Sequence, residues 1–284
     1  MDMPRLSIII VTFNSRSHVD ACLTSIADQR STVDHEIVVI DNASTDGTPA
    51  LVRERWPAVR VIDAGANLGF ARANNLGFRH TSAELVLLLN PDTRVGPGAL
   101  SSLVALLGAR PDAAIVGPRL VDEAGRPELS FGSMLSPLVE LRRKTLSAAY
   151  ERGVPLVAAY VAARARRMRE VDWVSGACLL VRRADAEAAG LMDERFFMYT
   201  EDVDFCAAIR ARGRRVLFTP DAEVIHARGR SRASATDATE RAYRRSQLVF
   251  YEKHHPGWVP LLRAYLKMRG RLPDTRIDPP VSAA

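Results

Sequence analysis

An aspartate stands three residues beyond a run of five leucine and valine residues: Leu85-Val-Leu-Leu-Leu89 runs into Asn90-Pro91-Asp92. Such an apolar run suits a strand buried on both faces, and equally a segment of buried helix. Pro91 disfavours helical geometry at Asn90, so the run is read as a strand that delivers Asp92 at its carboxyl end. In open α/β sheets that edge is where ligands bind. A carboxylate held there on rigid scaffold suits a divalent cation and, through it, a diphosphate. The plainer reading of Asn-Pro-Asp is a turn that closes the strand.

Earlier strands end in the same chemistry. Asn14 follows the first, Asp41, Asn42 and Asp46 the second, and Asn67 the third. Any one of these is ordinary turn composition, but their succession on one edge exceeds what turns require. Amides and carboxylates there can accept the N–H of a base and bond ribose hydroxyls. No Gly-x-Gly-x-x-Gly follows the first strand and no Gly-Lys-Ser/Thr loop occurs, which argues against a nicotinamide-binding domain and a phosphate loop. A bound nucleotide's diphosphate then needs another counter-charge, and Asp92 with a metal supplies one.

Late in the chain Glu201, Asp202 and Asp204 cluster where a helix is predicted to begin. Acidic residues in a first turn offset the helix dipole, worth ~0.3–1 kcal/mol each. The same dipole lowers a carboxylate's pKa, against the needs of a general base, while the apolar Phe196-Phe197-Met198-Tyr199 before it excludes water and raises it. The sequence leaves that balance open. His226, after Val224-Ile225, is either a satisfied histidine or, given a metal at Asp92, its ligand.

The elements that must position these groups alternate regularly at first. Strands are predicted at Leu6–Phe13, Glu36–Ile40, near Val59–Asp63 and at Leu85–Leu89. Helices are predicted at His18–Asp28, Thr48–Arg55, Phe70–His80 and Gly98–Ala109, which together mean a parallel sheet with helices on both faces. After Arg110 the rhythm breaks. Short strands are expected at Ala114–Pro118, Leu120–Asp122, Val171–Val181, Val216–Thr219 and Glu223–His226. One or two surface helices are expected in the Arg-, Ala- and Leu-rich stretch from Ser136 to Arg169. A helix opening at the acidic cluster should stop at Gly213, and two more should cover Thr236–His254 and Trp258–Met268. The expected organisation is residues 1–231 as one domain, with a nucleotide-binding half (1–110) and an acceptor half (111–231), and 232–284 as a helical extension.

With 284 residues, 47% hydrophobic and 25% charged, the composition is that of a globular protein. No apolar run approaches the ~18–20 residues of a membrane span, and the start shows no export signal. Cys22, Cys178 and Cys206 form no Cys-x-x-Cys pair and read as small core residues of a reducing compartment, so a cytoplasmic protein is expected. The net charge of +6 gathers in Arg142-Arg143-Lys144, Arg164–Arg169, Arg228–Arg232 and Arg241–Arg245. No zinc spacing or aromatic RNA-binding signature accompanies it, and nucleic acid is not expected; a solvated surface, a phosphate-bearing substrate or an anionic membrane face all fit.

Five stretches in order carry a resemblance: Asp41-Asn-x-Ser-x-Asp-Gly-Thr48, Asn67-Leu-Gly-Phe-Ala, Asn90-Pro-Asp92, Trp173-Val-Ser-Gly-Ala-Cys and Phe196-Phe-Met-Tyr-x-Glu-Asp-Val-Asp204. From about Leu6 to Ser231 the chain resembles the inverting glycosyltransferases of family 2, of GT-A fold, and within them the rhamnosyltransferase-like and galactofuranosyltransferase-like enzymes. The resemblance implies an α/β, mainly parallel sheet flanked by helices, and a nucleotide-sugar donor, dTDP- or UDP-linked. It implies that Thr12, Asn14, Asp41 and Asn42 hold base and ribose, with Asn67 lining the same pocket. Asn90 and Asp92 stand where the family's Asp-x-Asp motif binds ribose and metal, and His226 completes the metal site. Asp202, in the pair with Glu201, is the base that deprotonates the acceptor, while Trp173 and Gly176 border donor sugar and acceptor. Asn90 replaces the usual first aspartate of the metal motif, which leaves one carboxylate to hold the cation. One carboxylate with water and phosphate oxygens suits Mg²⁺ or Mn²⁺, and a histidine ligand favours Mn²⁺.

The implied activity is sugar transfer to a bacterial surface glycan or its polyprenyl-linked precursor, at the inner face of the cell membrane. Two other classes compete with it. A sugar-phosphate nucleotidyltransferase also has an α/β nucleotide site but needs a Gly-rich, basic N-terminal loop, and Thr12-Phe-Asn-Ser offers none. A non-catalytic basic binding protein would show no protection by nucleotide sugars.

Overall fold

The computed structural model describes residues 4–29, 33–227 and 237–273. The basic stretch Arg228–Arg232 and the predicted helix start at Thr236 lie outside them. The first half comprises β1 (Leu6–Thr12), α1 (Val19–Ala27), β2 (His35–Asp41), α2 (Thr48–Arg55), β3 (Arg60–Asp63), α3 (Gly69–Arg79) and β4 (Leu85–Leu89). Alternate residues of β1, β2 and β4 serve two cores. Ile9, Val38 and Leu88 pack with Ala73 and Phe78 of α3, whereas Ile8, Ile10 and Leu87 pack with Cys22, Leu23 and Ile26 of α1. Helices on both faces are why these strands read as unbroken apolar runs.

The second half contains β5 (Thr93–Val95), α4 (Ala99–Ala109), β6 (Ala113–Val121), β7 (Phe131–Gly132), α5 (Pro137–Glu151), α6 (Pro155–Arg164), β8 (Arg169–Val171), β9 (Trp173–Val174), β10 (Cys178–Arg182), α7 (Arg183–Ala188), α8 (Glu201–Ala211) and β11 (Arg215–His226). The main sheet has the order β3-β2-β1-β4-β10-β6-β11-β5, with β8 on β11, and β7 and β9 form a separate ribbon. β3, β2, β1 and β4 are parallel, as are β6 and β11, but β10 runs against both β4 and β6. The sheet is therefore parallel through the first half and mixed beyond it. Once crossover helices no longer separate the strands, nothing enforces parallel pairing.

Local chemistry also redraws some boundaries. The two strands expected after Arg110 are one, β6, and the single strand expected at Val171–Val181 divides into β8, β9 and β10. β11 joins two expected strands across a register shift between Thr219 and Glu223, where Pro220 cannot donate to the ladder. In the Arg-rich stretch Ser136 caps α5 by accepting from Val139 N, and Gly153 (φ 72°) with Pro155 separates it from α6.

The chain closes with α9 (Asp237–His254), a 3₁₀ turn and α10 (Val259–Met268). α9 is part of the sheet's packing: Phe250 and Tyr251 are buried in the same core as α3 and α8. At its end Lys253 Nζ and His254 Nε2 contact the buried Asp204 carboxylate of α8 at 2.9 and 2.7 Å. Among the described residues no helix is long and apolar enough to cross a membrane. Removing a buried, charge-assisted acceptor costs about 2–3 kcal/mol. Asp204→Ala should therefore lower the unfolding free energy by that amount, read as a lower urea midpoint at an unchanged slope; a lower slope would mean that α9 unfolds separately.

Candidate active site

The carboxyl ends of β1, β2, β4, β6 and β11 lie along one edge of the sheet, and antiparallel β10 begins there. Cys178 pairs with Leu89, and Asn90 N donates to Ala177 O at 2.9 Å. The residues singled out in the sequence accordingly meet at one rim, although they do different things there.

At the β1–β2 end the polar groups serve largely one another. Thr12 Oγ1 and Ser44 Oγ both donate to Asp41 Oδ1, at 2.9 and 2.6 Å, and Ser44 N donates to Oδ2. Asp41 is only 2% exposed, and a lone pair of Oδ2 is its remaining acceptor position. Asn14 sits at φ 50° and its Oδ1 accepts from Thr45 N at 2.8 Å. Asn42, expected to contact nucleotide, is buried; its Nδ2 donates to Gly69 O and its Oδ1 accepts from Leu68 N. Asn67 Oδ1 closes the same turn on Gly69 N at 3.1 Å. Asp46 starts α2 by accepting from Thr48 N and Oγ1, bonds that outweigh its burial and hold its pKa below the usual value.

At the end of β4, Asn90 spends its backbone on Ala177 and Thr93, and its side-chain amide makes no hydrogen bond among the described residues. Asp92 Oδ1 lies 3.4 Å from His226 Nε2, and the other ring nitrogen lies 3.2 Å from Glu128 Oε2. Burial disfavours the imidazolium, but the hydrogen bonds to Asp92 and Glu128 outweigh it and lift the pKa to about 9. Two ligands cis on a cation at about 2.1 Å stand about 3 Å apart, so Asp92 and His226 suit a shared divalent ion. A carboxylate on the far nitrogen is the usual way a ligating histidine is oriented. Among the described residues no third side chain joins them as a ligand, which leaves positions for phosphate and water oxygens. Glu128 was not singled out in the sequence; it arrives from the β6–β7 connection as an isolated acid with no spacing to mark it.

The acidic first turn of α8 splits three ways. Asp202 keeps a partly exposed face; its Oδ2 accepts from Gly176 N at 2.9 Å and its Oδ1 from Val203 N at 2.8 Å. Protein on its other sides raises its pKa, partly offset by these N–H groups and by the Arg143 guanidinium. A Cβ on Gly176 would stand 3.1 Å from the Phe70 ring and 3.3 Å from Asp202 Cβ, so only glycine allows this approach comfortably. Glu201, expected to act with Asp202, is buried and its Oε2 has no hydrogen-bond partner among the described residues; burial first, and then the Asp202 charge, push its pKa well above the ordinary value. Asp204 is tied to α9. Trp173, expected to border the sugars, is 4% exposed; its Nε1 donates to Ser133 O, and Arg143 covers its ring at 5.1 Å. Arg143, seen in the sequence only as part of a basic cluster, thus sits beside the carboxylate.

The loop before α8 is held by two devices. Phe70 N donates to Phe197 O at 2.7 Å, an approach that a side chain on Gly69 would block. Tyr199 and Thr200 are consecutive non-glycine residues in the left-handed region, at φ 72° and 64°. Such geometry is costly and concentrates at functional sites.

Residues 7–171 match the family model "Glycosyl transferase family 2". Over 286 aligned residues the chain is 33% identical to the N-acetylglucosaminyl-diphospho-decaprenol L-rhamnosyltransferase of Mycobacterium tuberculosis, across 94% of this chain and 92% of that protein. Among solved structures it is similar to mannosyltransferase PcManGT from Pyrobaculum calidifontis in complex with GDP-Man and Mn²⁺, with a TM-score of 0.60 and 22% identity over 93% of this chain and 70% of that one. GalNAc-T7 with UDP, GalNAc and Mn²⁺ has a TM-score of 0.58 at 18% identity, over 79% of this chain and 44% of that one. The central sheet with its flanking helices is the GT-A fold of these glycosyltransferase structures. A family model spanning more than half of the chain and a relative matched along nearly its whole length lead to one conclusion: the chain belongs to glycosyltransferase family 2.

Proposed function

We propose that this glycosyltransferase transfers a deoxyhexose such as rhamnose, with inversion, from a dTDP- or UDP-sugar to a hydroxyl of a polyprenyl-diphosphate-linked glycan, at the cytoplasmic face of a membrane. The observation that carries the reading is the placement of a partly exposed Asp202, aimed by Gly176 N–H, on the same rim as the Asp92–His226 pair. The near full-length likeness to a rhamnosyltransferase whose name specifies a diphospho-decaprenol-linked sugar supports the substrate class.

Thr12, Asn14, Asp41 and Asn67 form the base and ribose end, with Asn42 positioning the turn around Gly69. Asn90 offers its side-chain amide to the ribose. Asp92 and His226 would hold Mn²⁺ or Mg²⁺, which when bound supplies Lewis-acid stabilisation to the departing diphosphate. Asp202 takes the proton of the acceptor hydroxyl while that oxygen bonds to the anomeric carbon and the bond to the diphosphate oxygen breaks from the opposite face. The raised pKa brings this base closer to the acidity needed near neutrality.

Asp202→Asn should cut transfer ~10²–10⁴-fold, the usual worth of a general base, while a thermal-shift titration shows donor binding retained. Wild-type turnover in that variant would sink the assignment. Since Asp202 must be deprotonated, kcat/KM should rise with pH through a value above the ordinary 3.8, and Arg143→Ala should move that limb higher still. A limb at or below the ordinary value would contradict the account.

For metal-free protein the sign runs the other way. A histidine raised from 6.5 to about 9 contributes stability fully below pH 6.5, and that contribution is lost as pH rises through about 9. Melting of chelator-treated protein should show this decline, and His226→Asn should flatten it. With Mn²⁺ and a nucleoside diphosphate present, the wild type should gain melting temperature over nucleotide alone, and His226→Asn should lose most of the gain.

A further inference from the structure

Two features of the surface coincide. Residues 137–169 carry eight basic and two acidic side chains, and 237–273 carry eight and three, so these segments hold more positive charge than the chain's net +6 and the remainder is acidic. Of thirteen large apolar side chains exposed among the described residues, eleven lie in the same two segments. On α10 and the turn before it, Trp258, Leu261, Tyr265 and Met268 recur at helical spacing and face outward, Leu261 at 63% and Met268 at 80% exposure, while Leu266 is turned inward. On the α5–α6 hairpin Leu138 and Leu156 are similarly bare at 76% and 84%. The segments are joined: Gln247 Nε2 of α9 donates to Glu140 Oε2 of α5 at 2.9 Å, and His255 Nε2 lies 2.6 Å from Leu135 O.

Part of this basic charge is absorbed, since Lys144, Arg244, Lys253, Arg263 and Arg271 pair with carboxylates, but the cluster at the end of α6 is not. Among the described residues Arg164, Arg166, Arg167 and Arg169 have no carboxylate within ion-pair distance, and with Tyr160 they line a shallow cleft. Arg164 and Arg169 both approach the Phe131 ring, at 5.5 and 5.9 Å, which crowds two cations together. Exposed apolar and aromatic side chains among unpaired arginines are the composition of an interfacial helix on an anionic bilayer. A second copy of this chain would set like charges against each other.

We propose that the α5–α6 hairpin and α10 form a docking face for an anionic phospholipid membrane, with the apolar side chains in the headgroup layer and the arginines on lipid phosphates. α5 also carries Arg143 to Asp202, so the docking face and the catalytic rim share a helix. The purpose of docking rests on the proposed lipid-linked acceptor; docking itself is measurable without transfer.

The test is flotation of the full chain with vesicles of phosphatidylcholine alone, or mixed with phosphatidylglycerol. Binding is expected only to the mixed vesicles and should weaken in high salt. Leu261→Ser with Tyr265→Ser, and separately Arg166→Ala with Arg167→Ala, should each weaken it at least about tenfold, with melting temperature unchanged. Brominated lipid should quench tryptophan emission in the wild type and not in Trp258→Phe. Failure of the wild type to bind at low salt, or undiminished binding by both double variants, overturns the proposal. So does a concentration-dependent dimer dissolved by the Leu261/Tyr265 changes in a chain that ignores vesicles. If the variants lose vesicle binding yet glycosylate a vesicle-borne lipid acceptor at the wild-type rate, the docking face stands and the lipid-linked acceptor reading falls.

Discussion

The reversed strand β10, wedged between β4 and β6, is the constraint on which the rim depends. A strand entering against β4 must begin where β4 ends, so the Ser175–Ala177 loop arrives beside Asn90 and is fastened there by the Asn90 N to Ala177 O bond. Gly176 then faces α8 with its N–H directed at Asp202, and β6 and β11 on the far side bring His226 back to Asp92. Were β10 parallel, its loop would open at the other edge of the sheet, and the nucleotide and acceptor ends would share no border. The stitch between Phe70 N and Phe197 O closes the arrangement from the α3 side.

How much of this was legible depends on whether a residue's partner is near it in sequence. β1, α2 and β4 stand almost where the apolar runs, Thr48-Pro and Pro91 put them, because burial on both faces and proline sterics act locally. The polarity of the rim was legible for the same reason, since each strand ends in its own turn. The finer division was not. An asparagine such as Asn42 bonds backbone as readily as ligand, and its bond to Gly69 O depends on a tertiary position that the local sequence does not fix. Trp173 lies in a stretch legible as strand, but its enclosure by the β7–β9 ribbon and Arg143 comes from residues distant in sequence.

The first turn of α8 shows the same limit in electrostatic form. Three carboxylates within four residues share one helix dipole, and the sequence alone treats them alike. Gly176 from a distant loop makes one an aimed acceptor, Lys253 and His254 make another a tie to the last helices, and burial pushes the pKa of the third upward. The arginines follow suit: Arg210 finds Asp172 and becomes structural, whereas Arg143 finds an aromatic face and a base.

The left-handed pair at Tyr199 and Thr200 bears on how such an enzyme tolerates redesign. Glycine at either position would relieve the torsion but enlarge the unfolded ensemble, so the two effects oppose each other and a melting curve would register little. What would change is angular spread: the residues that launch α8 would sample a wider arc, and the carboxylate of Asp202, two residues beyond Thr200, would wander with them. At this corner thermal robustness and aim are separate properties, and a screen for the first is blind to the second.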